Sequence, residues 1–195
     1  MISTTTLLRK RPSNDILSDS LPALRELLFL VVLGATAVAW HAATRDRGLH
    51  IPGHQGMMWM AMVMIGRTTS RYRWAALVTA GGAAATAMLP MWGGGDPFRW
   101  LMYLAAGASI DLFYSAFPRY RSTLWLLVIV GGLAHMTKPI LRVPISSLTG
   151  IPYGSLLWGV AYPAFTHFTF GAIGALAGAG ALFGGRWLTA QRSRK

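Results

Sequence analysis

The sequence predicts an all-α membrane protein, a bundle of six transmembrane helices with both termini cytoplasmic. Three observations lead there. The 195 residues are 53% hydrophobic and only 12% charged, where soluble domains carry about 25% charged residues. The apolar residues collect into six runs, with the basic residues between them. Of the 18 Lys and Arg, thirteen fall in the N-terminal arm, at Arg25, in the second and fourth linkers and in the tail; Arg45, Arg47, Arg99, Lys138 and Arg142 occupy the other three linkers. That asymmetry is the positive-inside pattern of a multi-pass protein, here expected in a prokaryotic cell (inner) membrane. A net charge of +12 would also suit nucleic acid, but the basic residues punctuate the apolar runs instead of forming one patch, so no nucleic-acid partner is expected. The absence of Cys excludes disulfides, Fe–S clusters and Cys-ligated zinc.

Residues 1–20 read as a disordered cytoplasmic arm with Arg9, Lys10 and Arg11 clustered. A single transmembrane domain of six helices follows over 21–188, and 189–195 is a basic cytoplasmic tail. The first run, Leu21–Ala43, reaches the roughly 20 residues a spanning helix needs. Its Ala37-Val38-Ala39 also resembles a signal-peptide cleavage site, although the arm before it is long for such a leader. The second run, Ile51–Ile65, is Met-rich, and its methionines alternate, so they cannot all face one soft-metal site and are read as packing. The third, Trp74–Trp92, is rich in Ala and Gly, which let helices approach closely in lipid. The Gly93-Gly94-Gly95 turn after it lacks the Lys and Ser/Thr of a phosphate loop. The fourth run is Phe98–Phe117 and the fifth Thr123–Met136. A long linker with Pro139, Pro144 and Pro152 covers Thr137–Tyr153. The sixth, Gly154–Leu188, is too long for one crossing at about 1.5 Å per residue. Pro163 is expected to kink it or to mark where it leaves the bilayer. Gly174-x3-Gly178 and Gly180-x3-Gly184 are small-residue packing faces.

The most densely furnished linker is Arg45 to Trp59, with His50, His54, Pro52, Gly53 and Gly56. Proline and glycine break regular structure there, and the stretch reads as the lid of a ligand site on the outer face. Topology sends the other histidines to the same side: His41 and His135 end helices there, and His167 lies about 28 Å above Arg186 at helical rise. Trp59, Trp92, Trp100, Tyr153, Trp158 and Tyr162 surround them. Part of this set is expected to form the interfacial aromatic belt and part to stack a planar ligand, with Asp96 and Lys138 at the rim. The expected substrate-binding set is therefore His50, His54, Trp59, Trp92, Asp96, Trp100, His135, Lys138, Tyr153, Tyr162 and His167. Five basic residues against Asp46 and Asp96 in the outer loops favour a neutral or anionic ligand. Asp111 sits about 12 Å from the inner end of its helix, where an ionisable group needs a partner. Arg67, Arg25 or a helix terminus would serve structurally; proton coupling or a partner-subunit contact is the functional alternative.

Six short helices, both ends inside, a long first outer loop and the ladder Ala35-x3-Ala39-x3-Ala43 together resemble the substrate-binding (S) components of energy-coupling factor transporters, which are ABC-type. The resemblance implies a vitamin- or precursor-sized substrate and no enzymatic activity in this chain. It also implies assembly with a coupling transmembrane subunit and two ATPase subunits, where any ATP hydrolysis would reside. The alanine ladder, Ala35, Ala39 and Ala43, would pack on the coupling subunit. The ligand site would come from the first, third and fifth loops, here His50 and His54, Trp92 to Asp96, and His135 to Tyr153 with His167. No cofactor is expected. LHIPGH also resembles the start of the cobalt and nickel members, whose metal-binding histidine stands at the extreme N-terminus, unlike here. Two alternatives remain open. One is a histidine-ligated metal protein, holding a divalent transition metal or haem through His50, His54, His135 and His167. The other is an accessory structural subunit of a membrane complex. No HExxH or GxSxG motif supports an intramembrane enzyme.

Overall fold

The computed structural model describes residues 16–44, 51–92 and 96–192, with the backbone alone at 16–22, 158 and 185–192. It is all-helical. Its six α-helices are α1 (Ile16–Ala43), α2 (Gly56–Thr69), α3 (Ala75–Ala87), α4 (Arg99–Ala116), α5 (Leu124–Thr149) and α6 (Ala161–Arg192), with single 3-10 turns at Pro118–Tyr120 and Gly154–Trp158.

Three segments are long and apolar enough to cross a membrane: Ala23–Ala43 in α1, Leu124–Thr149 in α5 and Ala161–Gly184 in α6. Within them only 22%, 39% and 33% of the apolar window is buried by the protein itself. The remainder, including Leu28, Val32, Ile129, Leu148 and Phe165, faces outward. So much outward apolar surface is what a hydrocarbon solvent accommodates and water does not. α2 and α3, at 14 and 13 residues, are about 20 Å long at helical rise, shorter than the roughly 30 Å hydrocarbon core.

α2 lies inside the bundle, against α1, α3, α5 and α6. Its alternating methionines divide as packing predicts: Met60 and Met64 are fully buried beside Val63, while Met57 is exposed. α6 meets α2 through Gly174 and Gly178, where a methyl group would strike the Met57 and Ala61 carbonyl oxygens. The second glycine pair behaves differently: Gly180 meets only the tip of Leu176, and Gly184 meets nothing within 4 Å.

Several boundaries differ from the sequence reading. α1 begins at Ile16, inside the stretch read as a disordered arm, and α6 continues past Leu188 to Arg192. α2 starts at Gly56, not Ile51, because residues 51–56 form consecutive tight turns (Gly56 N–H to the Gly53 carbonyl, 2.8 Å). α3 ends at Ala87, which leaves Trp92 in the following turn. The expected linker from Thr137 is helical to Thr149, with Pro139 and Pro144 inside α5. Each proline deprives only the carbonyl four residues earlier of its donor, and apolar helices in packed or lipid surroundings tolerate that. The helix stops at Gly150, whose φ of 68° supplies the left-handed cap that glycine adopts without strain. Pro163 kinks nothing: it sits in the first turn of α6, where its missing N–H has no helical partner to lose.

Candidate functional site

A chamber of about 460 Å³ opens at the end of the bundle where α2 and α4 begin. Its volume lies in the range of small-molecule pockets. The 51–56 turns form one wall. Trp59 from α2 adds an aromatic floor, packed edge-on against Tyr103 of α4 with centroids 4.7 Å apart. α1 contributes Ala37 and His41, α4 contributes Arg99 and Met102, and α5 contributes His135 and Lys138. Tyr153, Gly154 and Ser155, beyond the end of α5, complete the lining.

The turns are anchored rather than loose. His54 Nδ1 donates to the Ile51 carbonyl at 2.6 Å, and His135 Nε2 donates to the Gly53 carbonyl at 3.3 Å. The His135 and His167 rings stack at 4.9 Å and 34°. A methyl group on Gly56 would coincide with the His135 ring, and one on Gly53 would lie 3.0 Å from His167. Gly53 also holds a φ of 84°. The glycines therefore serve close approach of backbone to two imidazoles, not the mobility of a lid.

Sequence-expected residues separate into groups. His54, Trp59, His135, Lys138 and Tyr153 line the chamber, and His167 stands behind it against His135 and Gly53. Trp92 touches its edge only through its carbonyl, 3.4 Å from Arg99 Nη1. Asp96 and Trp100 border a separate shallow recess beside Pro90, and Tyr162 is exposed at the start of α6. His50 lies outside the described residues. Gln55, Arg99 and Tyr103, all in the lining, were not among the expected site residues, and His41, placed on this side by topology, was left out of the binding set. Arg99 had been counted only as one basic residue of an outer linker. Its Nη2 donates to His41 Nε2 at 3.4 Å, so two residues 58 positions apart share one side of the chamber.

Behind Tyr153 lies Arg142, 1% exposed. Its guanidinium packs over the Tyr153 ring at 5.0 Å and over Phe98 at 5.5 Å, and its Nη1 is 3.4 Å from Asp96. Its Nε and Nη1 have no hydrogen-bond partner, so Asp96 meets it as an ion pair alone, and His167 Nε2 and Ser146 Oγ have no partner either. Lys138, one helical turn before Arg142, reaches the same tyrosine ring at 5.9 Å.

For metal, no cluster of three or more His, Cys, Asp or Glu side chains occurs among the described residues. The nearest arrangement is the His135–His167 stack, in which His167 Nδ1 is committed to the Pro163 carbonyl at 2.7 Å.

At the other end of α4, Asp111 is fully buried. It accepts from Arg67 Nη1 at 2.9 Å and from the Ala76 and Leu77 backbone N–H groups at 3.2 and 2.7 Å. Arg67 also donates to the Arg73 and Ser70 carbonyls and stacks over Tyr114 at 4.8 Å. The carboxylate thus both pairs with an arginine and caps the N-terminus of α3, where orphan N–H groups favour an anion. The alanine ladder lies off the α1–α3 contact. Gly34, Ala37 and Val38 are buried, whereas Ala35 and Ala39 are half-buried and Ala43 is exposed.

Comparison with protein-family models, with curated proteins and with solved structures finds no match for this chain.

Proposed function

We propose that the chain is the substrate-binding membrane subunit of an uptake transporter of the energy-coupling factor type, holding a vitamin- or precursor-sized molecule in the chamber beneath residues 51–56. In this reading all six helices cross a prokaryotic inner membrane, α2 and α3 together with the turns that flank them, and both termini are cytoplasmic. The chamber then faces outward. The alanine ladder, with Ala35 and Ala39 half-buried and Ala43 exposed, is left for a coupling subunit that recruits two ATPases.

The observation that carries this reading is the chamber itself. A volume of about 460 Å³, an aromatic floor and convergent polar groups from α1, the 51–56 turns, α4 and α5 are the features of small-molecule sites. It also lies at the end of the bundle away from the basic 67–73 linker, which the positive-inside rule assigns to the cytoplasm. Native mass spectrometry of the protein in lipid nanodiscs tests the reading. A bound small molecule should travel with the wild type and be lost several-fold more readily from His54→Ala. A protein carrying no small molecule from cells or from a vitamin mixture would overturn it. Loss of mass on chelation would instead favour a metal site, for which the stacked His135 and His167 are the supporting observation. Tags at residues 5 and 195 should both resist external protease in intact cells, and Ala39→Leu should weaken partner pull-down.

A further inference from the structure

The charged lining of the chamber has one sign. Arg99 and Lys138 both line it, and no aspartate or glutamate among the described residues does. The three carboxylates whose side chains are described are engaged elsewhere. Glu26 accepts from Ser70 Oγ and the Arg71 N–H. Asp96 is taken by Arg142 and the Phe98 N–H. Asp111 is taken by Arg67 and the start of α3. The described ion pairs are Arg67–Asp111 and Arg142–Asp96, so neither cation of the chamber has a described carboxylate opposite it.

Two cations with no counter-charge among the described residues, both partly withdrawn from water, are an expensive arrangement for the empty protein. Their neighbours orient them but do not neutralise them. The Arg99 guanidinium is held by the neutral Trp92 carbonyl and by His41, and the Lys138 ammonium lies over the Tyr153 ring. A third cation, Arg142, stands against the other contacts of that ring with its Nε unpartnered at 1% exposure. A buried donor left unpaired is costly, and Arg142 is held in place regardless, by Phe98, Tyr153 and Asp96.

We infer that the chamber binds an anion: a ring-bearing small molecule whose carboxylate is received by Arg99 and Lys138 while its ring lies against Trp59, Tyr103 and Tyr153. Guanidinium offers a planar fork to a carboxylate, and ammonium a compact point charge, so the pair fixes both orientation and sign. This inference rests on the chamber being a ligand site, as proposed above, and adds the chemical class of what it takes.

The test is equilibrium dialysis of the nanodisc-embedded full chain, with empty nanodiscs as blank, against matched acids and amides: nicotinate and nicotinamide, indole-3-acetate and its amide, 2-naphthoate and its amide. The expected result is that at least one acid binds tenfold or more tightly than its amide. Lys138→Gln should remove most of that preference and Lys138→Arg should retain it; a contact to a charged group is worth about tenfold or more. Arg99→Gln should act in the same direction, and the lysine pair keeps the test valid if that variant folds poorly. Amides binding as well as acids, or a preference untouched by Lys138→Gln, would overturn the anion inference while leaving the chamber a ligand site. Failure of every acid and amide to bind would overturn both.

Discussion

At the Asp111 end of α4, a buried carboxylate meets an arginine and two backbone N–H groups, and charge is matched within the protein. At the Arg99 end, twelve residues or about 18 Å along the same helix, two cations face a chamber with no described carboxylate. The first end is closed: among its described buried side-chain nitrogens and oxygens, only Nε of Arg67 lacks a partner. The second is polar and aromatic, with no described carboxylate opposite its two cations. One helix thus joins a buried ion pair to the basic lining of the chamber. The contrast teaches that burial of a charged group is not itself the mark of function; what distinguishes the ends is whether the charge is answered inside the protein.

The contrast breaks most sharply at Asp111. Asp111→Ala strands the Arg67 charge and uncaps α3, so it should cost about 3–5 kcal/mol, read as thermal or denaturant unfolding in nanodiscs. A cost under about 1 kcal/mol would show that the two ends do not differ as described. Packing around α6 gives the next effect. Gly178→Ala drives a methyl into the Ala61 backbone and should cost about 1–3 kcal/mol, whereas Gly184→Ala, with open space around it, should stay within about 0.5 kcal/mol. Equal costs in the same unfolding assay would mean that α6 does not rest on α2 through Gly178.

Smaller effects sharpen the Arg99 end. His54→Ala removes the bond to the Ile51 carbonyl and should lower the stability of the ligand-free protein by about 0.5–1.5 kcal/mol; hydrogen exchange of residues 51–57 should quicken with it. The smallest expected change is Lys138→Gln, which removes an unanswered cation. Stability should move by no more than about 0.5 kcal/mol, in either direction. A large loss would reveal that Lys138 is answered inside the protein after all, and would make the two ends alike.

The buried ion pair was more legible in the sequence than the site. Asp111 stood alone among apolar neighbours, and its depth demanded Arg67, Arg25 or a helix terminus; it has the first and the last. The 45–59 stretch was conspicuous by composition, and His54, Trp59, His135, Lys138 and Tyr153 do meet in one chamber. Arg99 and His41 were not legible as partners, because their meeting depends on how α1 and α4 lean together, which no local pattern encodes. Arg142 was hidden by its prolines: Pro139 and Pro144 read as breakers, so the residue between them was assigned to a loop. Only an unbroken α5 puts Arg142 one turn from Lys138 and behind Tyr153. The alanine ladder stood out by spacing, but Gly34, which makes the close approach of α1 to the α3 backbone at Thr79 and Ala83, did not, because a single glycine in an apolar run carries no local sign of what it meets.

Gly53 and Gly56 press their backbone onto the rings of His135 and His167, and that contact has a mechanical corollary. The 51–56 turns cannot swing without peeling away from α5 and α6, so they behave as masonry. The opposite wall is differently made. Between Gly150 and Gly159, both at positive φ, the chain carries Tyr153, and neither of those glycines, nor Gly154, would meet a neighbour within 4 Å if given a side chain. The chamber's glycines therefore differ in what they tolerate: the imidazoles of His135 and His167 exclude a side chain at Gly53 and Gly56, while one at Gly154 would meet open space.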